Sequence, residues 1–208
     1  MEIGGAALCA AWAPDGERFA VGLASKDTAV CHYEPQVTAW VASKVGKSKA
    51  AITALAWHQS SQYLATGSTD RHLRVYDVTV TEEGHGPGFN ALQVTEDASA
   101  WVNAIAFSRS NVLAFACQDA TVRFKSLAGG PDAAVEVVRW KSLPFLDLAF
   151  VGRNEAPTAS PLMKLGDSEA LPRTSEHTNT ITGCRALSDG RFSTSSLDGT
   201  VLVWELSA

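Results

Sequence analysis

Four groups of residues have types that could carry chemistry. His177, Asp198 and either Ser195 or Ser196 hold the side chains of a hydrolytic triad. A triad also needs its serine on a sharp, exposed turn, with backbone donors for the oxyanion. Phe192 to Ser196 reads instead as a strand. Gly46-Lys47-Ser48 ends like a phosphate-binding loop, but Val41 stands where that motif needs its first glycine. Gly84-His85-Gly86-Pro87-Gly88 lacks the strand-then-helix setting of a dinucleotide site and reads as a flexible connection. His32, His58, His72 and His85 show no paired spacing with cysteines or carboxylates, whereas a metal site needs three or four converging ligands. The expectation is a protein with no catalytic, cofactor-binding or metal-binding residues.

Composition narrows the class further. Of 208 residues, 46% are hydrophobic and 19% charged, enough apolar surface to order a core. The net charge of −5, without a Lys/Arg cluster, argues against a nucleic-acid partner, whose phosphates must be neutralised. Apolar runs such as Ala10-Ala11-Trp12-Ala13 are far shorter than the roughly 20 residues that span a bilayer, so no membrane partner is expected. Met1-Glu2-Ile3-Gly4-Gly5 lacks the basic, then apolar, start of a signal peptide. Cys9, Cys31, Cys117 and Cys184 are widely separated and read as reduced core thiols of a cytosolic protein.

The elements that position these residues repeat. Ala11-Trp12, Ala56-Trp57, Ala106-Phe107 and Ala149-Phe150 place an Ala-aromatic pair at intervals of 45, 50 and 43 residues, and a further unit aligns on Leu187. A period near 40–45 points to the four-stranded blades of a β-propeller. The first unit has strands over Leu8–Trp12, Arg18–Gly22 and Thr28–Tyr33, and a fourth over Val37–Lys44; Pro14-Asp15-Gly16 turns between the first two. Comparable segments follow at Ile52–Trp57, Tyr63–Gly67 and Leu73–Asp77, then at Val102–Phe107, Val112–Cys117, Thr121–Phe124 and Val135–Trp140. The last unit runs Ile181–Leu187, Phe192–Ser196 and Thr200–Trp204. Leu202 and Trp204 alternate with Val201 and Val203, so both faces are apolar, as blades stacked on one another require.

The expected architecture is therefore all-β: one partial propeller over 1–208, with units at about 6–44, 50–94, 100–140, a truncated 145–152, and 177–206. The Ser/Thr/Pro-rich stretch 153–176 reads as a loop insertion before the last blade. Repeat-equivalent Trp12, Trp57 and Trp204 are assigned to the core. Trp40 and Trp140, on outer strands, and Trp101, opening an inner strand, are the candidate interface residues.

The last unit resembles the WD-repeat family. His177, Thr194, Asp198 and Trp204 fall where that family has its structural tetrad, a hydrogen-bond chain from turn to indole. The tetrad would account for His177 and Asp198 structurally, against the triad reading. The second unit keeps Thr66, Asp70 and Tyr76-Asp77 in this register, with Tyr in place of Trp and no matching His; the third keeps Asp119 and Phe124. Longer segments are similar to the subunit 1 family of the actin-related protein 2/3 complex: Cys9 to Asp15, Arg18 to Gly22, Val30 to Glu34, Leu55 to Gln59, Leu64 to Arg71, Leu143 to Phe150 and His177 to Ile181. Measured against that family's seven blades, the chain reads as N-terminally shortened, starting at the third. The resemblance implies a non-catalytic scaffold in the cytoplasmic actin cytoskeleton. It implies the complex's other subunits, the actin filament and a nucleation-promoting factor as partners, and branched-filament nucleation as the role. The alternative reading is a general WD-repeat adaptor, such as a substrate receptor of a ubiquitin ligase.

Overall fold

The computed structural model describes residues 4–81, 84–130, 132–139, 146–150, 181–187 and 191–205. All regular structure among them is β. The first sheet is β1 (Ala7–Trp12), β2 (Arg18–Leu23), β3 (Thr28–Glu34) and β4 (Ala39–Val45), each paired antiparallel with the next. The second is β5 (Ile52–Trp57), β6 (Tyr63–Ser68), β7 (His72–Asp77) and β10 (Leu92–Asp97). A two-stranded hairpin, β8 (Val80–Thr81) and β9 (Gly84–His85), interrupts it between β7 and β10. The third is β11 (Val102–Phe107), β12 (Val112–Cys117), β13 (Thr121–Ser126) and β14 (Val135–Arg139). The fourth has three strands among the described residues: β15 (Ile181–Ala186), β16 (Arg191–Ser196) and β17 (Val201–Glu205). The four sheets are arranged as propeller blades.

The turns follow from their residues. Asp70, Asp119 and Asp198 each accept a hydrogen bond from the backbone amide two residues on, at His72, Thr121 and Thr200. Short polar side chains of this kind fold back on their own backbone and end one strand while aiming the next. The outer strand of the second blade runs to Asp97, past position 94, where the sequence pattern ended that unit.

Blades touch through their small residues. Gly22 on β2 and Gly67 on β6 occupy equivalent positions, and a Cβ on either would collide with the next blade's first residue, Ile52 or Val102. The missing side chain is what lets the neighbouring inner strand approach. Between blades 1 and 2 the core contains Ala13, Ala20, Val30, Val45, Trp57, Leu64, Tyr76 and Val78. Between blades 2 and 3 it contains Leu73, Val75, Val102, Ile105, Leu113 and Phe115. The far face of blade 3 is covered by Leu148, with Phe150 alongside, against Ala114, Val122 and Phe124. The segment at 146–150 forms no strand; its apolar side chains nevertheless lie against blade 3 as a neighbouring blade would.

One core assignment is overturned. Trp57 is buried, but its counterpart Trp12 is 61% exposed. The reason is positional. The Trp57 side of blade 2 faces blade 1, and its indole Nε1 donates to the Ala11 carbonyl at 3.0 Å. Trp12 pairs with Phe19 on the opposite face of its sheet from Ala11 and Ala20, which pack towards blade 2. The same residue at the same repeat position is thus core or surface according to what stands beside it.

Candidate interaction surfaces and inter-blade contacts

On that outer face of blade 1 four rings gather. Trp12 meets Phe19 at 5.2 Å between centroids, and Trp40 meets Trp12, Phe19 and Tyr33 at 6.1, 5.1 and 5.8 Å. Tyr33 and Trp40 are cross-strand partners, so the sheet register places them together. Trp12, Tyr33 and Trp40 are all exposed, which makes a contiguous aromatic surface. Trp101, just before β11, is 54% exposed and stands apart from this cluster. Trp140 lies outside the described residues. The sequence pointed to Trp40 but not to its companions, because Trp12 carried a core assignment and Tyr33 carried none.

The tetrad positions of the last blade are partly visible. His177 and the side chain of Trp204 lie outside the described residues. Thr194 is buried in mid-β16, and Asp198 Oδ1 accepts from the Thr200 amide at 2.9 Å and its hydroxyl at 2.6 Å. Ser195 and Ser196 sit within β16, not on an exposed turn, and the Ser196 hydroxyl accepts from the Asp198 amide.

Blade 2 shows what replaces the tetrad when its histidine and tryptophan are absent. The Asp70 side chain is buried and holds Arg74, whose Nη1 lies 3.0 Å from Oδ2 and donates to Ser48 Oγ at 3.3 Å. The Lys49 amide donates to the same carboxylate at 2.8 Å. Burial alone would push the Asp70 carboxyl up, but Arg74 and the Lys49 and His72 amides outweigh it and hold it below the usual range. Tyr76 is pushed up by burial, partly offset by the Lys47 amide donating to its oxygen. Thr66, the tetrad-register threonine, is buried with its hydroxyl unpartnered. Lys47 and Ser48 therefore serve this polar cluster, and no helix follows them that could cradle a phosphate.

A second polar junction fastens blade 1 to blade 2. Arg18, buried at the start of β2, donates to the carbonyls of Val78 at 2.7 Å and Ser61 at 2.6 Å. It pairs with Asp15 at 2.9 Å and lies 5.3 Å from the Trp57 ring centre. Burial pushes Asp15 up, yet the Glu17 amide and Arg18 hold it below the usual carboxylate range. At the next junction Gln59 donates to the Ser108 carbonyl at 3.0 Å, and His58 Nε2 lies 2.7 Å from Asn111 Oδ1. Lys125, almost wholly buried, reaches from blade 3 to Glu96 of blade 2 at 2.6 Å. Among the described residues no group of three or more His, Cys, Asp or Glu could hold a metal ion. The four thiols are free, and burial pushes Cys9 up to about 11, well away from a reactive thiolate at neutral pH.

Comparison with known proteins agrees with the blades. The family described as WD domain, G-beta repeat matches residues 41–77 and 169–205. An actin-related protein 2/3 complex subunit 1B from Arabidopsis thaliana is 26% identical over 274 aligned positions, which cover 99% of this chain and 72% of that protein. Subunit 1 from Schizosaccharomyces pombe is 27% identical, with 84% of this chain and 51% of that protein covered. Subunit 1 from Saccharomyces cerevisiae is 40% identical over 77 residues, 36% of this chain and 20% of that protein. Among solved structures, the crystal structure of the computationally designed Ika4 protein superimposes with a TM-score of 0.54 at 15% identity, over 100% of this chain and 95% of that one, a likeness of fold. With repeats, blades and relatives in register, the chain carries WD40 repeats on a propeller arrangement and is similar, along nearly its whole length, to proteins named subunit 1 of the actin-related protein 2/3 complex.

Proposed function

We propose that this chain acts as a non-catalytic scaffold subunit of an actin-related protein 2/3 complex, in the cytoplasm at the actin cytoskeleton. The observation that carries this reading is the alignment with relatives of that name over 99% of the chain. Its partners would be the other subunits, the actin filament and a nucleation-promoting factor, and its part in branched-filament nucleation is to hold surfaces in place. The polar groups in the described blades support a structural role: Asp15, Arg18, Asp70 and Arg74 are spent on blade junctions and turns. Aromatic side chains supply most interface energy when anchored in a broader contact. Trp40, within its exposed ring cluster, and Trp101 are the proposed contact residues, with Trp140 as a further candidate. In the last blade His177, Thr194, Asp198 and Trp204 are proposed as a structural tetrad, and 153–176 as a loop insertion within one domain spanning 1–208.

The test is to tag the full chain in its own cells and identify what co-purifies. Recovery of the other complex subunits, reduced by Trp40→Ala or Trp101→Ala without loss of folded protein, is the expected result. Recovery with ubiquitination machinery and no complex subunit would overturn it.

A further inference from the structure

The two described inter-blade clefts on the outer side differ in one respect: one is filled and the other is open. Val30 and Ser43 are cross-strand partners in blade 1, as Val75 and Val94 are in blade 2. Beside Val30 and Ser43 the chain returns on itself. The described part of the connection from β7 to β10, residues 78–81 and 84–91, folds back over the blade 1–blade 2 cleft. Phe89 packs on the core there, stacked on His85 at 3.7 Å and 4° between planes. His85 Nε2 lies 3.1 Å from Ser43 Oγ, and Asn90 accepts from the Gly46 amide. The corresponding connection in blade 3, between Ser126 and Val135, is shorter and its sequence has no aromatic residue to offer the next cleft. A cavity of about 320 Å³ is left there, with Val75, Val94 and Leu127 as its floor and His58, Tyr63 and Gln93 around it.

We infer that this cleft between blades 2 and 3 binds an aromatic side chain carried on an extended segment of a partner polypeptide, as the blade 1–blade 2 cleft binds Phe89. Two further features fit that occupant. β10, which supplies Gln93 and Val94, is the edge strand of its sheet, so one side of its backbone is open to an added strand. A segment laid along it would direct alternate side chains to the side on which Val94 meets the cavity. The Gln93 carboxamide is exposed and makes no hydrogen bond among the described residues, leaving donor and acceptor for the incoming backbone. The floor is uncharged, which suits a ring and not a carboxylate or ammonium group. This inference does not rest on membership of any complex.

The test uses the full chain and the blocked pentapeptide Ac-Thr-Val-Phe-Val-Thr-NH2, with a control in which Ala replaces the phenylalanine. Binding is followed by amide chemical-shift changes. The phenylalanine peptide is expected to shift Gln93, Val94 and Leu127–Gly130 saturably, with a Kd of about 1 mM or tighter, and the control at least tenfold more weakly. Ala128→Trp, at an exposed position lining the cavity, should abolish binding while circular dichroism stays unchanged. Gln93→Ala, also on the surface, should weaken it severalfold. Equal binding of both peptides, binding that survives Ala128→Trp, or no saturable binding to the folded chain would each overturn the inference.

Discussion

Replacing Arg18 by alanine tests whether the junction between blades 1 and 2 is held by one guanidinium. Arg18 satisfies two carbonyls on blade 2, at 2.6 and 2.7 Å, and one carboxylate on its own blade. Hydrogen bonds to a charged donor contribute about 1.5–3 kcal/mol each, but they share one side chain and are not additive. Asp15 retains some solvent contact and its amide partner from Glu17, so its loss is softened. The two carbonyls, left at a buried junction, dominate. We expect Arg18→Ala to cost about 3–4 kcal/mol, near the range for breaking a buried pair. In urea, with a slope of about 2–3 kcal/mol/M for a chain of this size, the midpoint should fall by about 1–2 M. Arg18→Lys keeps the charge but cannot fork to both carbonyls and should recover less than half of the loss. Asp15→Ala alone should cost about 1 kcal/mol, because it leaves the carbonyl contacts in place. If Arg18→Ala costs no more than Asp15→Ala, the Asp15–Arg18 pair and not the carbonyl contacts is what matters, and the reasoning fails.

Asp70→Asn should destabilise blade 2 by about 2–4 kcal/mol at pH 7, since Arg74 loses a buried partner. Because the Asp70 carboxyl is held below its unfolded value, its contribution is complete above pH ~4 and disappears as pH falls through the folded value. The gap between wild type and variant in urea melts should therefore narrow below pH ~4. Thr66→Val removes a buried, unpartnered hydroxyl while keeping the branched shape, and should stabilise by about 1 kcal/mol; a comparable loss in thermal melts would contradict the description of that hydroxyl. Gly67→Ala should cost about 1–3 kcal/mol by pressing on Val102 and Ile105, and Gly22→Ala should behave alike against Ile52. Denaturation midpoints unchanged by either would mean that the blades can part freely.

What the sequence made legible was the repeat and the inner three strands of each described blade, because apolar runs, Ala-aromatic pairs and Asp turns recur there. The outer strand β10 was not legible. Leu92-Gln93-Val94-Thr95-Glu96-Asp97 is largely exposed and polar, and only Val94 is buried, so no alternation marks it. Trp12 went wrong for a related reason: periodicity gives a position in a blade but not whether another blade covers that face. Arg18 was passed over in the sequence because its role depends on carbonyls 43 and 60 residues away. The cavity beside Val94 was invisible for the same reason, since its lining residues come from segments far apart in the chain.

The segment carrying Leu148 and Phe150 gives the fold an internal seam. By lying over blade 3 it finishes the apolar stack formed by the first three sheets. Its described link onward is the Asp147 carboxylate, which accepts from the Cys184 amide at 3.0 Å and from Arg185 at 2.8 Å, the latter largely in solvent. Two groups of amides with separate opening free energies follow from this. Those of β2, β6 and β12 should resist deuterium longest, while β15 to β17 should exchange together and sooner.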